Sequence, residues 1–151
     1  MTDDEREDKL FNRQEAEKLL PVLKPLLANA VEKKKRVEML DHEFADVQKH
    51  ILLNGGTLPP YRYLARRRRE RERLVNALGK AVSQIEETGC VVKDLDQGLL
   101  DFPSIVNEEE VFLCWRLGEE RIRYWHRPDE GFAGRKPLGP EADLPDGTKP
   151  N

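Results

Sequence analysis

From Leu23 to Ile51 apolar residues recur at alternating spacings of three and four: Leu23, Leu26, Ala30, Val37, Leu40, Phe44, Val47 and Ile51, with Lys33 the polar exception. A repeat of this kind keeps one stripe of a helix turned toward a partner, so the spacing predicts a long helix with a heptad seam. Its start is marked by Asn12 and Glu15, the two halves of a capping box, with Phe11 before the cap and Ala16 at the staple position. Pro21 and Pro25 each remove a backbone donor, which predicts a kink or short break near Leu20 to Lys24. Asn54-Gly55-Gly56 ends the rod, and Thr57-Leu58-Pro59-Pro60 opens a second helix with proline confined to its first turn. The second seam reads Tyr61, Leu64, Arg68, Arg71, Val75, Leu78, Val82 and Ile85, and Gly89 stops it.

Two apolar stripes joined by a short Gly-rich connection fold back as an antiparallel hairpin, in which facing residue numbers sum to about 112. This register sets Arg66 to Arg73 opposite Asp41, Glu43 and Asp46, and Lys33-Lys34-Lys35-Arg36 opposite the uncharged Asn76 to Gly79. A seam interrupted by Lys33, Arg68 and Arg71 buries little alone. A second copy, or a helix of another protein, is therefore expected to cover Leu27, Val31, Leu74 and Ala81, with a homodimer preferred.

Beyond Gly89 the period changes to two. Val111-Phe112-Leu113-Cys114-Trp115 and Arg121-Ile122-Arg123-Tyr124-Trp125-His126 flank Leu117-Gly118-Glu119-Glu120, which predicts a β-hairpin. With Gly118 and Glu119 as the turn, Cys114 and His126 point to opposite faces. Cys90 to Leu95 and Gly98 to Phe102 add one or two short strands, and so small a sheet is expected to pack on the base of the hairpin. The fold class is α+β: a long antiparallel helical hairpin, kinked near Pro21 and Pro25, then a small antiparallel sheet. Residues 1–10 are expected as a disordered acidic N-terminus, 11–88 as the hairpin, 89–138 as the β-rich part and 139–151 as a disordered tail.

Composition sharpens this picture in places. Charged residues make up 36% of the 151, well above the roughly 25% of ordinary globular chains, as long solvated helices require. No apolar run could span a membrane, the acidic N-terminus does not read as a secretory signal, and two cysteines do not make a disulfide scaffold. The expectation is a cytoplasmic protein with reduced thiols, no cofactor and no membrane partner. The formal charge of −3 hides seven Arg against two Glu in residues 61–73. Lys33, Lys34, Lys35 and Arg36 together with Arg66, Arg67, Arg68 and Arg69 could merge into a basic band for nucleic acid, although interleaved Glu and the facing acids dilute it.

Six of the ten aromatics fall within 31 residues, where they either fill a small core or wall a pocket. The polar groups beside them make Asp101, Cys114, Trp115, Arg123, Trp125, His126 and Arg135 the candidate ligand-binding set. Cys114 and His126 suggest a metal site or a Cys–His nucleophilic pair, but no CxxC, HExxH or repeated His spacing accompanies them, so no metal is expected. Gly131-Phe132-Ala133-Gly134-Arg135 reads as an anion loop or, preferably, as a glycine turn that lets Phe132 plug the core while Arg135 pairs with an acid such as Asp101. A non-catalytic, self-associating interaction module is the favoured function, with a ligand- or metal-binding protein or enzyme using an aromatic pocket around Cys114, His126 and Arg135 as the alternative.

At Leu99-Leu100-Asp101-Phe102-Pro103, Phe112-Leu113-Cys114-Trp115-Arg116-Leu117-Gly118-Glu119, Ile122, Tyr124-Trp125-His126 and Gly131 to Leu138 the sequence resembles the bacterial domain of unknown function 2203 family. The likeness extends to Phe11, Glu15-Ala16 and Leu20-Pro21, so it runs from about Leu10 to Leu138. It implies the two-part architecture and no established activity or cofactor. It also singles out Asp101, Cys114, Trp115, Arg116, Glu119, Trp125, His126, Gly131, Gly134 and Arg135 as positions that match the family motif.

Overall fold

The computed structural model describes residues 9–56 and 60–139. The two termini expected to be disordered therefore lie, apart from Lys9, Leu10 and Gly139, outside the described residues, as does the stretch 57–59. Two helices, α1 (Arg13–Leu53) and α2 (Tyr61–Glu87), precede five strands: β1 (Val91–Asp94), β2 (Leu99–Val106), β3 (Glu109–Arg116), β4 (Tyr124–His126) and β5 (Lys136–Pro137). The fold is α+β, as expected.

The capping box opens α1, with Glu15 N–H donating to Asn12 Oδ1 at 2.8 Å and Asn12 N–H donating to Glu15 Oε1 at 3.1 Å. The helix then runs 41 residues without interruption, so the short break expected near Leu20 to Lys24 is not made. Packing explains this: the prolines face outward, while Leu20, Leu23 and Leu27 are sealed against the sheet. Pro21 cannot donate to the Glu17 carbonyl, but the Glu17 carboxylate is itself tied down by accepting from Ile122 N–H at 3.2 Å.

The hairpin forms close to its expected register, with Arg71 bonded to Asp41 at 2.6 Å and Arg67 3.7 Å from Glu43. Four details differ. The buried residues of α2 are Leu64, Ala81 and Ile85, with Leu74, Leu78 and Val82 half-buried beside them, whereas Val75 and Arg68 are exposed. Arg36 does not face the uncharged Asn76 to Gly79; it reaches Glu70 at 2.9 Å, and Lys34 pairs with Asp96 and, at 3.3 Å, with Glu38. Leu27, Val31 and Ala81, expected to await a second copy, are buried within the chain. The second helix also begins after its prolines, with Pro60 at the N-cap.

The sheet is an antiparallel meander in the order β1-β2-β3-β4-β5. Strands β2 and β3 are joined at Asn107 and Glu108, both with positive φ (53° and 64°), the conformation of a two-residue primed turn. This turn pairs Leu100 with Trp115, Asp101 with Cys114 and Phe102 with Leu113. Directly opposed residues share a face. Leu100, Phe102, Leu113 and Trp115 therefore look one way, into a core with Phe11, Leu20, Leu23, Leu27 and Ile85. Asp101 and Cys114 look the other way.

The β3–β4 pairing is one residue off the expected one: Phe112 opposes His126, Leu113 opposes Trp125 and Cys114 opposes Tyr124. The cause is the connection. Instead of turning at Gly118-Glu119, the chain uses seven residues, 117–123, which lets Ile122 bury completely and lets Trp115 Nε1 donate to the Glu119 carbonyl at 2.9 Å. Strand side chains alternate faces, so a shift of one moves His126 to the side of Cys114.

Candidate functional site

Three neighbouring strands each contribute one polar side chain to the sheet face turned away from α1: Asp101 from β2, Cys114 from β3 and His126 from β4. All three are buried, at 2%, 1% and 2% exposure. One carboxylate oxygen, the thiol sulfur and one ring nitrogen lie within 4.8 Å of one another. Such a cluster in an apolar setting needs a physical account, because unpaired polar groups are costly to bury.

His126 supplies part of it. Its Nδ1 lies 2.8 Å from the Arg127 carbonyl and its Nε2 lies 3.0 Å from Asp101 Oδ1. A carbonyl only accepts, so Nδ1 carries a hydrogen. The Nε2–Oδ1 contact then also holds a proton, either as imidazolium with carboxylate or as imidazole with carboxylic acid. The pair is electrically neutral in both forms. Cys114 is not a ready nucleophile: burial pushes its thiol up to about 11, the nearby Asp101 charge adds to the rise, and the Arg135 guanidinium only partly opposes it. The Cys–His nucleophilic pair is therefore replaced by a His–Asp pair beside a protonated thiol.

Arg135 closes this face. It donates to the Cys114 carbonyl at 3.2 Å and to Glu119 at 2.6 and 3.1 Å. Its guanidinium carbon sits 4.3 Å from the Tyr124 ring centroid and 4.7 Å from that of Phe132. Burial disfavours the charge, but the Glu119 carboxylate more than offsets this and holds the Arg135 pKa above its ordinary value. The expected Arg135–Asp101 pair is thus replaced by Arg135–Glu119, and Phe132 stacks on Arg135 instead of entering the core. Arg135 Nε is buried and has no hydrogen-bond partner among the described residues.

Of the seven candidate residues, Asp101, Cys114, His126 and Arg135 converge. Trp115 belongs to the core on the other face, Trp125 packs against that core with Lys136 4.9 Å over its ring, and Arg123 is exposed. Sequence reasoning placed Glu119 in a hairpin turn and missed it as the partner of Arg135; its place in the motif Trp115 to Glu119 was the available signal. A cleft of about 570 Å³ lies alongside, bordered by Phe112, Pro103 and Pro128, and the triad does not line it.

Among the described residues no helix is long and apolar enough to cross a membrane. No curated protein and no solved structure matches the chain. The family model described as "Uncharacterized conserved protein (DUF2203)" matches residues 9–138, most of the chain and all the elements built above, and the chain belongs to that family.

Proposed function

We propose that this protein is a non-catalytic metal-binding module that holds one zinc-like divalent ion on Asp101, Cys114 and His126. The observation that carries this reading is the convergence of three ligand atoms of different chemistry within 4.8 Å in a buried site. Thiolate, imidazole and carboxylate are together the donor set of a borderline-soft ion. His126 is oriented as a metal-bound histidine would be, with Nδ1–H fixed on a carbonyl and Nε2 turned into the cluster.

Charge balance supports the same reading. Without metal the thiol is neutral and the His–Asp pair is neutral. With metal, one thiolate and one carboxylate neutralise a dication while imidazole stays uncharged. Exchanging two protons for one M²⁺ leaves the net charge of a buried site unchanged, which avoids the large penalty for stranding charge in low dielectric. Equilibrium dialysis of metal-free protein against zinc is expected to give one ion per chain, with Cys114→Ser and His126→Ala each losing it. Retention of one zinc by both variants would refute the assignment.

Self-association is proposed to use a different surface from the one first expected. With Leu27, Val31 and Ala81 already covered, the large exposed apolar groups include Leu52, Leu53 and Tyr61 at the hairpin tip, at 76%, 74% and 69% exposure.

A further inference from the structure

Two groups stand out among the basic residues of the hairpin. Lys34, Arg36, Arg67 and Arg71 are held in ion pairs with Asp96, Glu70, Glu43 and Asp41, Lys33 donates to Asn29, and Lys35 lies 4.0 Å from Glu32. Arg62, Arg66, Arg69 and Arg73 are different: all are exposed, and none makes a hydrogen bond or ion pair with a described residue. Their spacings of four, three and four put them in one column of α2, and Lys80 continues it seven residues on. This column is on the side of α2 away from the buried Leu64, Ala81 and Ile85. Of the two acids on its flanks, Glu70 is already engaged by Arg36 and Arg67, and Glu72 is exposed three residues from Arg69, so four arginines and a lysine outnumber the one uncommitted carboxylate. Tyr63, Arg66, Arg67, Arg69, Glu70 and Arg73 line a surface hollow of about 470 Å³.

We infer that the outer face of α2, through Arg62, Arg66, Arg69, Arg73 and Lys80, is a docking surface for the phosphate backbone of duplex DNA. The column is about 27 Å long at 1.5 Å per residue, comparable with the axial rise of about eight base pairs of duplex at about 3.4 Å each, so that a helix laid along the groove brings its arginines to phosphates on the groove walls. Arginine presents a planar fork that bonds phosphate oxygens two at a time. Five cations on one face of a chain with formal charge −3 form a concentrated positive stripe, which matches a linear polyanion. A helix of about 10–12 Å diameter enters the B-form major groove, whereas the A-form groove of RNA is too narrow for it. A membrane fits less well, because the apolar face of α2 is spent on α1 and cannot insert.

The test is fluorescence anisotropy of a labelled 25-base-pair DNA duplex with the full chain at 50, 100 and 200 mM NaCl. Expected is saturable binding whose log–log salt slope is about −3.6 to −4.5, from four to five neutralised phosphates. Arg66→Ala/Arg69→Ala/Arg73→Ala should weaken binding at least tenfold at 100 mM with an unchanged circular dichroism spectrum. The corresponding Lys triple should recover most of the salt slope, and Lys33→Ala/Lys34→Ala/Lys35→Ala should change affinity less than twofold. No binding at 50 mM, equal losses in the two alanine triples, or sedimentation with phosphatidylserine vesicles in place of DNA binding would overturn the assignment.

Discussion

Raising the pH from 8 to 11 should expose how deeply the two thiols are buried. Cys90 and Cys114 are each pushed from an ordinary 9.0 up to about 11, chiefly by burial. Cys90 also donates to the Ile85 carbonyl and accepts from Thr88 Oγ1, both at 3.4 Å. The folded state holds these protons more tightly than the unfolded chain. Their contribution is therefore complete below pH 9 and is lost as the pH rises through about 11. At about 1.4 kcal/mol per tenfold, the loss approaches about 3 kcal/mol for each thiol, and about 6 kcal/mol for both. That is a large part of a typical stability of 5–15 kcal/mol. Lysine and tyrosine titrate in the same window, so the informative quantity is a difference. Urea unfolding of metal-free protein at pH 8, 9.5 and 11 should show a steeper fall for wild type than for Cys90→Ala/Cys114→Ala. Parallel curves for the two proteins would refute the burial argument.

Further outcomes follow from particular contacts. Gly89 has φ of 104° and an added Cβ would lie 3.1 Å from Phe11 Cζ, so Gly89→Ala should destabilise by about 1–3 kcal/mol in thermal unfolding. His126→Ala strands a buried carboxyl and should destabilise by about 3–5 kcal/mol, whereas Asp101→Asn keeps a hydrogen-bonding partner for the ring and should lose about 1 kcal/mol; denaturant titration checks the order. Leu52→Ser/Leu53→Ser should turn a dimer into a monomer in sedimentation at tens of micromolar without lowering the melting temperature, and a monomeric wild type would remove the proposed tip interface.

What could be read from the sequence follows from how local each signal is. The Asn12–Glu15 capping box, the Asn54-Gly55-Gly56 turn and the Asp41–Arg71 register are set by residues close in sequence or by simple hairpin arithmetic, and all appear. The α2 stripe was legible at Leu64 and Ile85 but not at Ala81, because Val82 competes with it one residue away and only the partner helix decides between the two columns. The site was the hardest part. Its assembly depends on a single-residue register between β3 and β4, which the deep burial of Ile122 and the Trp115–Glu119 bond determine. With the turn placed at Gly118-Glu119, Cys114 and His126 separate and the cluster vanishes. Asp101 meets Cys114 through the Asn107–Glu108 turn, whose Glu at positive φ lacks the usual glycine signal.

The central claim is that Asp101, Cys114 and His126 bind one metal ion through a thiolate. Titrating metal-free protein with Co²⁺ at pH 7.5 tests this most directly, because a thiolate-to-cobalt charge-transfer band in the near ultraviolet reports sulfur ligation at the metal. The account predicts a band that saturates at one Co²⁺ per chain, is bleached by zinc, and is absent from Cys114→Ser. No band at stoichiometric cobalt, or an equal band in Cys114→Ser, would contradict it.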